Sequence, residues 1–422
     1  MDDQTVNTFA ILVGGGPAPG INSVIGAATI RSILAGATVL GIPEGFKWLM
    51  ERDTSRVQRL TIEDVSRLHF RGGSHLGTSR ANPTKKPEHL ENVVESLLGM
   101  KVTGLITIGG DDTCFSAMKV EEKAGRRLRV VHVPKTIDND LDLPHGIPTF
   151  GFQTARHIGV DLVRNLMVDA RTTGHWYFVV AMGRKAGHLA LAIGKSSGAT
   201  LSLIPEEFRE RPISVTKLGD ILAGSVIKRM VARRAYGVAI ISEGLGEILD
   251  PKEIEEVGTI ARDEHGHMRL DELNLGEILK RETLKQLAPY GITPTIVAKN
   301  IGYELRCADP IPFDMEYTRD LGSCAAKYLL ERGNAAMVAM VNGHSTPLPF
   351  RGILDPETGR TRVRMIDIRS EYYEIARYYM IRLNAADFQQ KNTLANYAGM
   401  TGLTSEKFRA HFEYVTAHEK SV

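Results

Sequence analysis

The chain has 422 residues, 43% hydrophobic and 24% charged, the make-up of a globular protein with room for two cores of about 150–200 residues each. Its 52 basic and 50 acidic residues leave a formal charge of +2, which excludes a nucleic-acid-binding stripe or a membrane-seeking surface as the organising feature. Three scattered cysteines argue against a disulfide framework or a zinc site, no apolar run reaches bilayer length, and the polar start Met1-Asp2-Asp3-Gln4 is unlike a targeting peptide, so a cytoplasmic protein is expected.

Short apolar runs recur along the chain at residues 9–13, 104–108, 130–133, 176–181, 201–204, 238–241 and 337–341. Each ends in glycine or a polar residue and leads into a helix-like stretch. Continuous rather than alternating apolarity predicts strands buried on both faces, hence parallel sheets covered by helices. Between residues 250 and 293 the pattern turns polar and helical, which predicts a surface insertion between core strands. From residue 370 onward a helical, aromatic-bearing stretch predicts an appended segment that packs on the body or on a neighbouring subunit.

The chemistry-bearing residues sit where the predicted strands end. After the first, Gly14-Gly15-Gly16-Pro17-Ala18-Pro19-Gly20 either lets backbone N–H groups approach an anion or serves only as a tight turn; it lacks the dinucleotide and Walker spacings. Gly109-Gly110-Asp111-Asp112-Thr113 follows the second, where adjacent carboxylates can hold Mg²⁺ or cap the next helix. Pro134-Lys135-Thr136-Ile137-Asp138-Asn139-Asp140 follows the third. A carboxylate there can take a proton from a sugar hydroxyl while Lys135 stabilises charge on a transferring phosphoryl group, or the run is an Asp-rich turn. So many like charges in one crevice call for a metal or protons, and Mg²⁺-dependent phosphoryl transfer uses such an arrangement. Farther on, Met182-Gly183-Arg184-Lys185 suits a phosphate terminus or a solvated turn, Glu243 stands at a strand end, and Arg306 follows Gly302-Tyr303.

Gly-Gly-Asp, Thr-Ile-Asp-Asn-Asp and Met-Gly-Arg, in this order, resemble the motifs of the phosphofructokinase family, and specifically its pyrophosphate-dependent branch, from about residue 9 to 343. The resemblance implies an α/β fold of two similar doubly wound, Rossmann-like domains with parallel-rich sheets, the site in the cleft between them, and a helical C-terminal extension. The expected domains are 1–148 plus about 305–350 for the donor and Mg²⁺, and 149–304 plus about 351–422 for the sugar phosphate. The implied reaction is reversible, Mg²⁺-dependent transfer from pyrophosphate to the 1-hydroxyl of fructose 6-phosphate by a homo-oligomer, dimer or tetramer.

By the same resemblance Asp138 is the base, with Thr136 and Asp140 beside the sugar and the moving phosphoryl group. Asp111 holds Mg²⁺, Gly15 and Arg80 bind the donor phosphates, and Met182, Gly183, Arg184, Glu243, Tyr303 and Arg306 clasp the sugar phosphate. Asp112 and Lys135 stand where ATP-using relatives commonly carry glycine; a carboxylate there occupies the space of a nucleotide α-phosphate and repels it. An ATP-dependent enzyme or a catalytically silent regulatory subunit are the competing readings. The chain departs from the family pattern at Pro17, at His175 and Val297, where bacterial relatives reach into a neighbouring site, and at Gly26 and Ile30, where an effector site has arginines.

Overall fold

The computed structural model describes residues 7–255, 273–355 and 361–416. Among them twelve strands are numbered in chain order: β1 (Thr8–Val13), β2 (Thr38–Ile42), β3 (Gln58–Arg59), β4 (Gly104–Gly109), β5 (Arg129–Thr136), β6 (Phe150–Gly151), β7 (Trp176–Ala181), β8 (Leu201–Leu203), β9 (Gly237–Ser242), β10 (Ile296–Ile301), β11 (Ala336–Val341) and β12 (His344–Pro349). The chain divides into two compact units. The first takes the described residues up to Ala155 and Tyr303–Arg364; the second takes those between Arg156 and Gly302 and from Met365 onward.

In the first unit the sheet order is β12-β11-β5-β4-β1-β2-β3, with β6 beside β5. The central pairs are parallel, and only the outer β12 and β3 run antiparallel. All six residues of β4 are buried, as expected of a strand covered on both faces. Ala10, Leu12, Leu105 and Val130 face a core shared with Val93, Leu97, Cys114 and Met118 from the helices Pro87–Gly99 and Asp111–Ala124. On the other side the helices Ile21–Leu34 and Pro312–Leu330 pack against each other. The chain runs from β1 outward to β2 on one side, then returns to β4 and β5 on the other. The order therefore reverses between β1 and β4, and the crevice beyond their carboxyl ends is where open α/β sheets bind ligands.

The second unit holds an all-parallel sheet, β10-β7-β9-β8. Phe178, Leu203 and Ile241 form its core with Leu222, Leu279, Phe388, Phe408 and Phe412. The seven apolar runs read from the sequence correspond to β1, β4, β5, β7, β8, β9 and β11. The edge strands β3, β10 and β12 escaped that reading because they face solvent, as at the exposed Lys299 and Asn300 of β10, whereas the interior β2 escaped because Thr38 and Gly41 break its apolar run.

One expectation is corrected. Helix Leu275–Leu287, read as part of a surface insertion, buries Leu275, Ile278, Leu279, Thr283 and Leu287 and packs on the helix Val215–Val231. Arg281 and Lys285 face solvent, while Glu282 turns toward the helix Val215–Val231 and accepts from Thr216, so a polar average concealed a core face. Residues 256–272 of that expectation lie outside the described residues. The segment after residue 370 packs on the second unit, where Phe388, Phe408 and Phe412 are fully buried. Among the described residues no helix is long and apolar enough to cross a membrane.

Candidate active site

The first unit gathers the site side chains expected of its loops at the ends of β1, β4 and β5. Gly14 N–H donates to the Ile108 carbonyl (2.9 Å) and Gly15 N–H to the Ser79 carbonyl (2.8 Å), so the loop after β1 is tied to both β4 and the segment carrying Arg80. Gly15 has φ +78°, a backbone state that favours glycine. A Cβ on Gly14 or on Gly109 would overlap Thr113, so these glycines let the helix Asp111–Ala124 begin directly against the loop. Asp111 and Asp112 fill the first turn of that helix, behind Gly110 as N-cap, and Asp111 Oδ1 accepts the Asp112 N–H at 2.9 Å. The carboxylates thus sit where the helix dipole favours negative charge, a site equally suited to a phosphate.

Lys135 lies near the end of β5 and is only 5% exposed. Its Nζ donates to the Gly16 carbonyl, and a Cβ on Gly15 would stand 3.4 Å from that nitrogen. Burial pushes its pKa down from 10.5 to about 8; Asp138 and Asp111 pull it upward, while Arg306 and Arg80 push it further down. Four charged groups, one from its own loop and three from other chain segments, therefore act on Lys135. Arg306 lies over the Tyr303 ring at 4.5 Å, and a Cβ on Gly16 would come within 3.0 Å of its Nη1. Its Nε is buried without a hydrogen-bond partner, a donor suited to an anion. Tyr303 itself is 55% exposed.

The loop Thr136 to Asp140 is held by its neighbours. Asp138 N–H donates to Thr136 Oγ1 (3.0 Å), Thr149 Oγ1 donates to the Thr136 carbonyl (2.7 Å), and Thr149 N–H donates to Asn139 Oδ1 (3.0 Å). Beneath the neighbouring loop, His132 is completely buried, with Nδ1 2.9 Å from Thr107 Oγ1 and Nε2 3.0 Å from the Gly109 carbonyl. A carbonyl only accepts, so Nε2 carries the hydrogen and Nδ1 accepts from Thr107. Burial pushes the His132 pKa down to about 3, keeping the ring neutral under the Gly109-Gly110 turn.

In the second unit the other expected residues cluster at the ends of β7 and β9. Met182 N–H donates to the Ile301 carbonyl at 3.1 Å, and Gly183 adopts φ +142°. A Cβ on Gly244 would lie 2.6 Å from the Arg184 carbonyl, so the turn Met182-Gly183-Arg184 abuts the loop opened by Glu243. Glu206 secures this turn from below, accepting the Gly187 N–H (2.9 Å) and the Ile366 N–H (3.1 Å). Gly15, Arg80, Asp111, Asp112, Lys135, Thr136, Asp138, Asp140, Tyr303 and Arg306 thus lie in the first unit, and Met182, Gly183, Arg184 and Glu243 in the second.

Sequence reasoning missed His132, Thr149, Glu206 and Arg364 as supports of these loops. A histidine inside the apolar run 130–133 was a visible signal; the other three carry none, being polar residues that interrupt no pattern. As for a metal, no three His, Cys, Asp or Glu side chains form a ready cage among the described residues. Mg²⁺ commonly uses one or two carboxylates, water and substrate phosphates, and the hard oxygen donors of Asp111 at a strand end fit that mode.

The phosphofructokinase family matches the chain over residues 8–329. The chain is 51% identical over 413 residues to pyrophosphate–fructose 6-phosphate 1-phosphotransferase of Thermotoga maritima, spanning 97% of this chain and 98% of that one. It is 48% identical over 421 residues to the protein of the same name from Naegleria fowleri, at 98% and 96% coverage. The crystal structure of the pyrophosphate-dependent phosphofructokinase from Marinobacter aquaeolei shares the fold, with a TM-score of 0.65 over 89% of this chain and 91% of that one at 16% identity. A match that begins with β1, takes in every strand-end loop described above and ends in the helix Pro312–Leu330 makes the chain a member of the phosphofructokinase family.

Proposed function

We infer that this chain transfers a phosphoryl group from pyrophosphate to the 1-hydroxyl of fructose 6-phosphate, reversibly, giving fructose 1,6-bisphosphate and phosphate. The observation that carries the reading is 51% identity over nearly the whole of this chain and of a relative named for that reaction. The charge pattern of the first unit supports it, since a buried lysine and two arginines around acidic strand-end loops suit a small polyanion.

In this reading Asp138 takes the proton of the attacking hydroxyl as the new O–P bond forms and the bridging O–P bond of pyrophosphate breaks. Thr136 and Asp140 flank the acceptor. Lys135 and Arg80 balance charge on the donor, whose phosphates approach the backbone at Gly15. Met182, Gly183, Arg184 and Glu243 of the second unit, with Tyr303 and Arg306 of the first, bind the sugar phosphate, so the donor residues all lie in the first unit and the acceptor is held by both. Asp111 would hold Mg²⁺, which when bound neutralises charge on the phosphates. The active form is a cytoplasmic homo-oligomer, dimer or tetramer.

Asp112 selects the donor. Beside Asp111 in the first helical turn, its carboxylate repels a nucleotide's α-phosphate by about 1 kcal/mol at 4 Å in water-like surroundings, and by several times that in a closed site. The test is turnover of the purified protein with Mg²⁺, fructose 6-phosphate and either pyrophosphate or ATP. Pyrophosphate alone should support turnover, and Asp112→Gly should lower that rate while opening some use of ATP. Turnover with ATP only would overturn the assigned reaction, and an Asp112→Gly variant with full pyrophosphate turnover would remove the donor-selection argument.

A further inference from the structure

The family match ends at residue 329, yet a later segment returns to the loop that bears Asp138 and Asp140. Val363 pairs with Leu141 in an isolated antiparallel bridge, and the Arg364 backbone N–H donates to the Asp140 carbonyl at 2.7 Å. The Arg364 side chain then spans the loop. Nε and Nη2 both donate to the Asn139 carbonyl (3.1 and 3.0 Å), Nη2 also donates to Asn139 Oδ1, and Nη1 donates to the Ile147 carbonyl at 2.9 Å. One planar guanidinium thereby joins two backbone positions eight residues apart, a task its fixed fork suits and a lysine's single nitrogen does not.

What it grips is a turn. Asn139 has φ +57°, the left-handed region that asparagine tolerates better than most residues but that neighbouring bonds must maintain. Asn139 stands between the two carboxylates, so its backbone angles set the directions in which Asp138 and Asp140 project. The Thr149 backbone N–H, donating to the same Asn139 Oδ1, completes the grip.

We propose that Arg364 is a positioning residue for phosphoryl transfer: by holding Asn139 in its left-handed turn it aims the Asp138 and Asp140 carboxylates at the reacting groups. The proposal rests on the reading of Asp138 as the base. A proton acceptor displaced by about an ångström costs rate far more than affinity, so the loss belongs to kcat rather than to KM. A residue that merely stabilised the unit would instead lower melting temperature and active fraction, leaving the surviving molecules fully competent.

The test uses full-length Arg364→Lys and Arg364→Ala, with kcat and KM for both substrates, melting temperature, and rescue by added guanidinium ion. We expect kcat about 100-fold lower in both variants with KM changed by less than about threefold. Guanidinium, but not ammonium, should restore part of the Arg364→Ala rate and none of the Asp138→Asn rate. Should the arginine variants not fold, Asn139→Gly, which keeps the left-handed backbone accessible but deletes the Oδ1 acceptor, is expected to lower kcat at constant KM. The proposal is overturned by kcat within about twofold of the parent in the arginine variants, by a loss that tracks folded fraction, or by an Asn139→Gly variant of unchanged kcat. Near-parental kcat in Asp138→Asn would instead remove the base assignment, whatever the arginine variants show.

Discussion

Lys135 shows how much a single side chain owes to its surroundings. Its place in Pro134-Lys135-Thr136 marks it as a phosphate partner, but its pKa of about 8 comes from burial and from charges on its own loop and three other segments. The cation is therefore lost from the free protein as pH rises through about 8, well below the ordinary lysine range. A bound polyanion favours the charged form and raises that pKa. For pyrophosphate, kcat/KM, which reports the free protein, should fall above about pH 8, while kcat should remain level there. Arg306 pushes the Lys135 pKa down, so Arg306→Gln should move the midpoint of that fall to higher pH. A kcat/KM that stays flat through this range would show that the Lys135 charge is not needed for binding the donor.

At the scale of elements, the loops carry the chemistry and the strand ends beneath them carry the loops. Thr107 on β4 and His132 on β5 are joined by a hydrogen bond, and His132 supports the Gly109 carbonyl just before Asp111. Because the His132 pKa is about 3 in the folded chain against 6.5 ordinarily, the unfolded chain binds the extra proton first as pH falls. The stability due to the neutral ring is present in full above pH 6.5 and is lost as pH drops toward 3. Urea denaturation should show a flatter acid limb for His132→Gln than for the parent. At neutral pH that variant should be about 1–3 kcal/mol less stable, since the flexible amide does not match both ring bonds, to Thr107 and to the Gly109 carbonyl. Equal acid limbs would mean that other groups dominate acid unfolding. Interior strands such as β4 and β9 were legible because burial on both faces writes an unbroken apolar run into the chain. The edge strand β10 was not, and helix Leu275–Leu287 was misjudged because its apolar stripe is diluted by charges on its outer face.

At the scale of the whole molecule, the C-terminal segment completes the second unit rather than decorating it. Phe408 and Phe412 sit in its core, and Arg382 meets Glu207 in an ion pair of 2.6 Å with side chains 6% and 5% exposed. Removing one partner of so buried a pair leaves a stranded charge, so Arg382→Ala should cost about 3–5 kcal/mol, whereas replacing both by Met and Leu should cost far less. Calorimetry of the single and double variants decides this, and equal losses would show that packing rather than charge is at stake. Local features could be read along the chain: most of the buried strands, where they end, and that the glycines, aspartates and lysine at those ends suit phosphoryl transfer. Covalent neighbours dictate such features, because periodicity and turn chemistry act over a few residues. Which distant side chains complete them emerges only when the chain is folded, as when Arg364 reaches back 225 residues to hold Asn139, and Arg80 and Arg306 depress the pKa of Lys135. Those relations arise from packing between segments that share no local pattern.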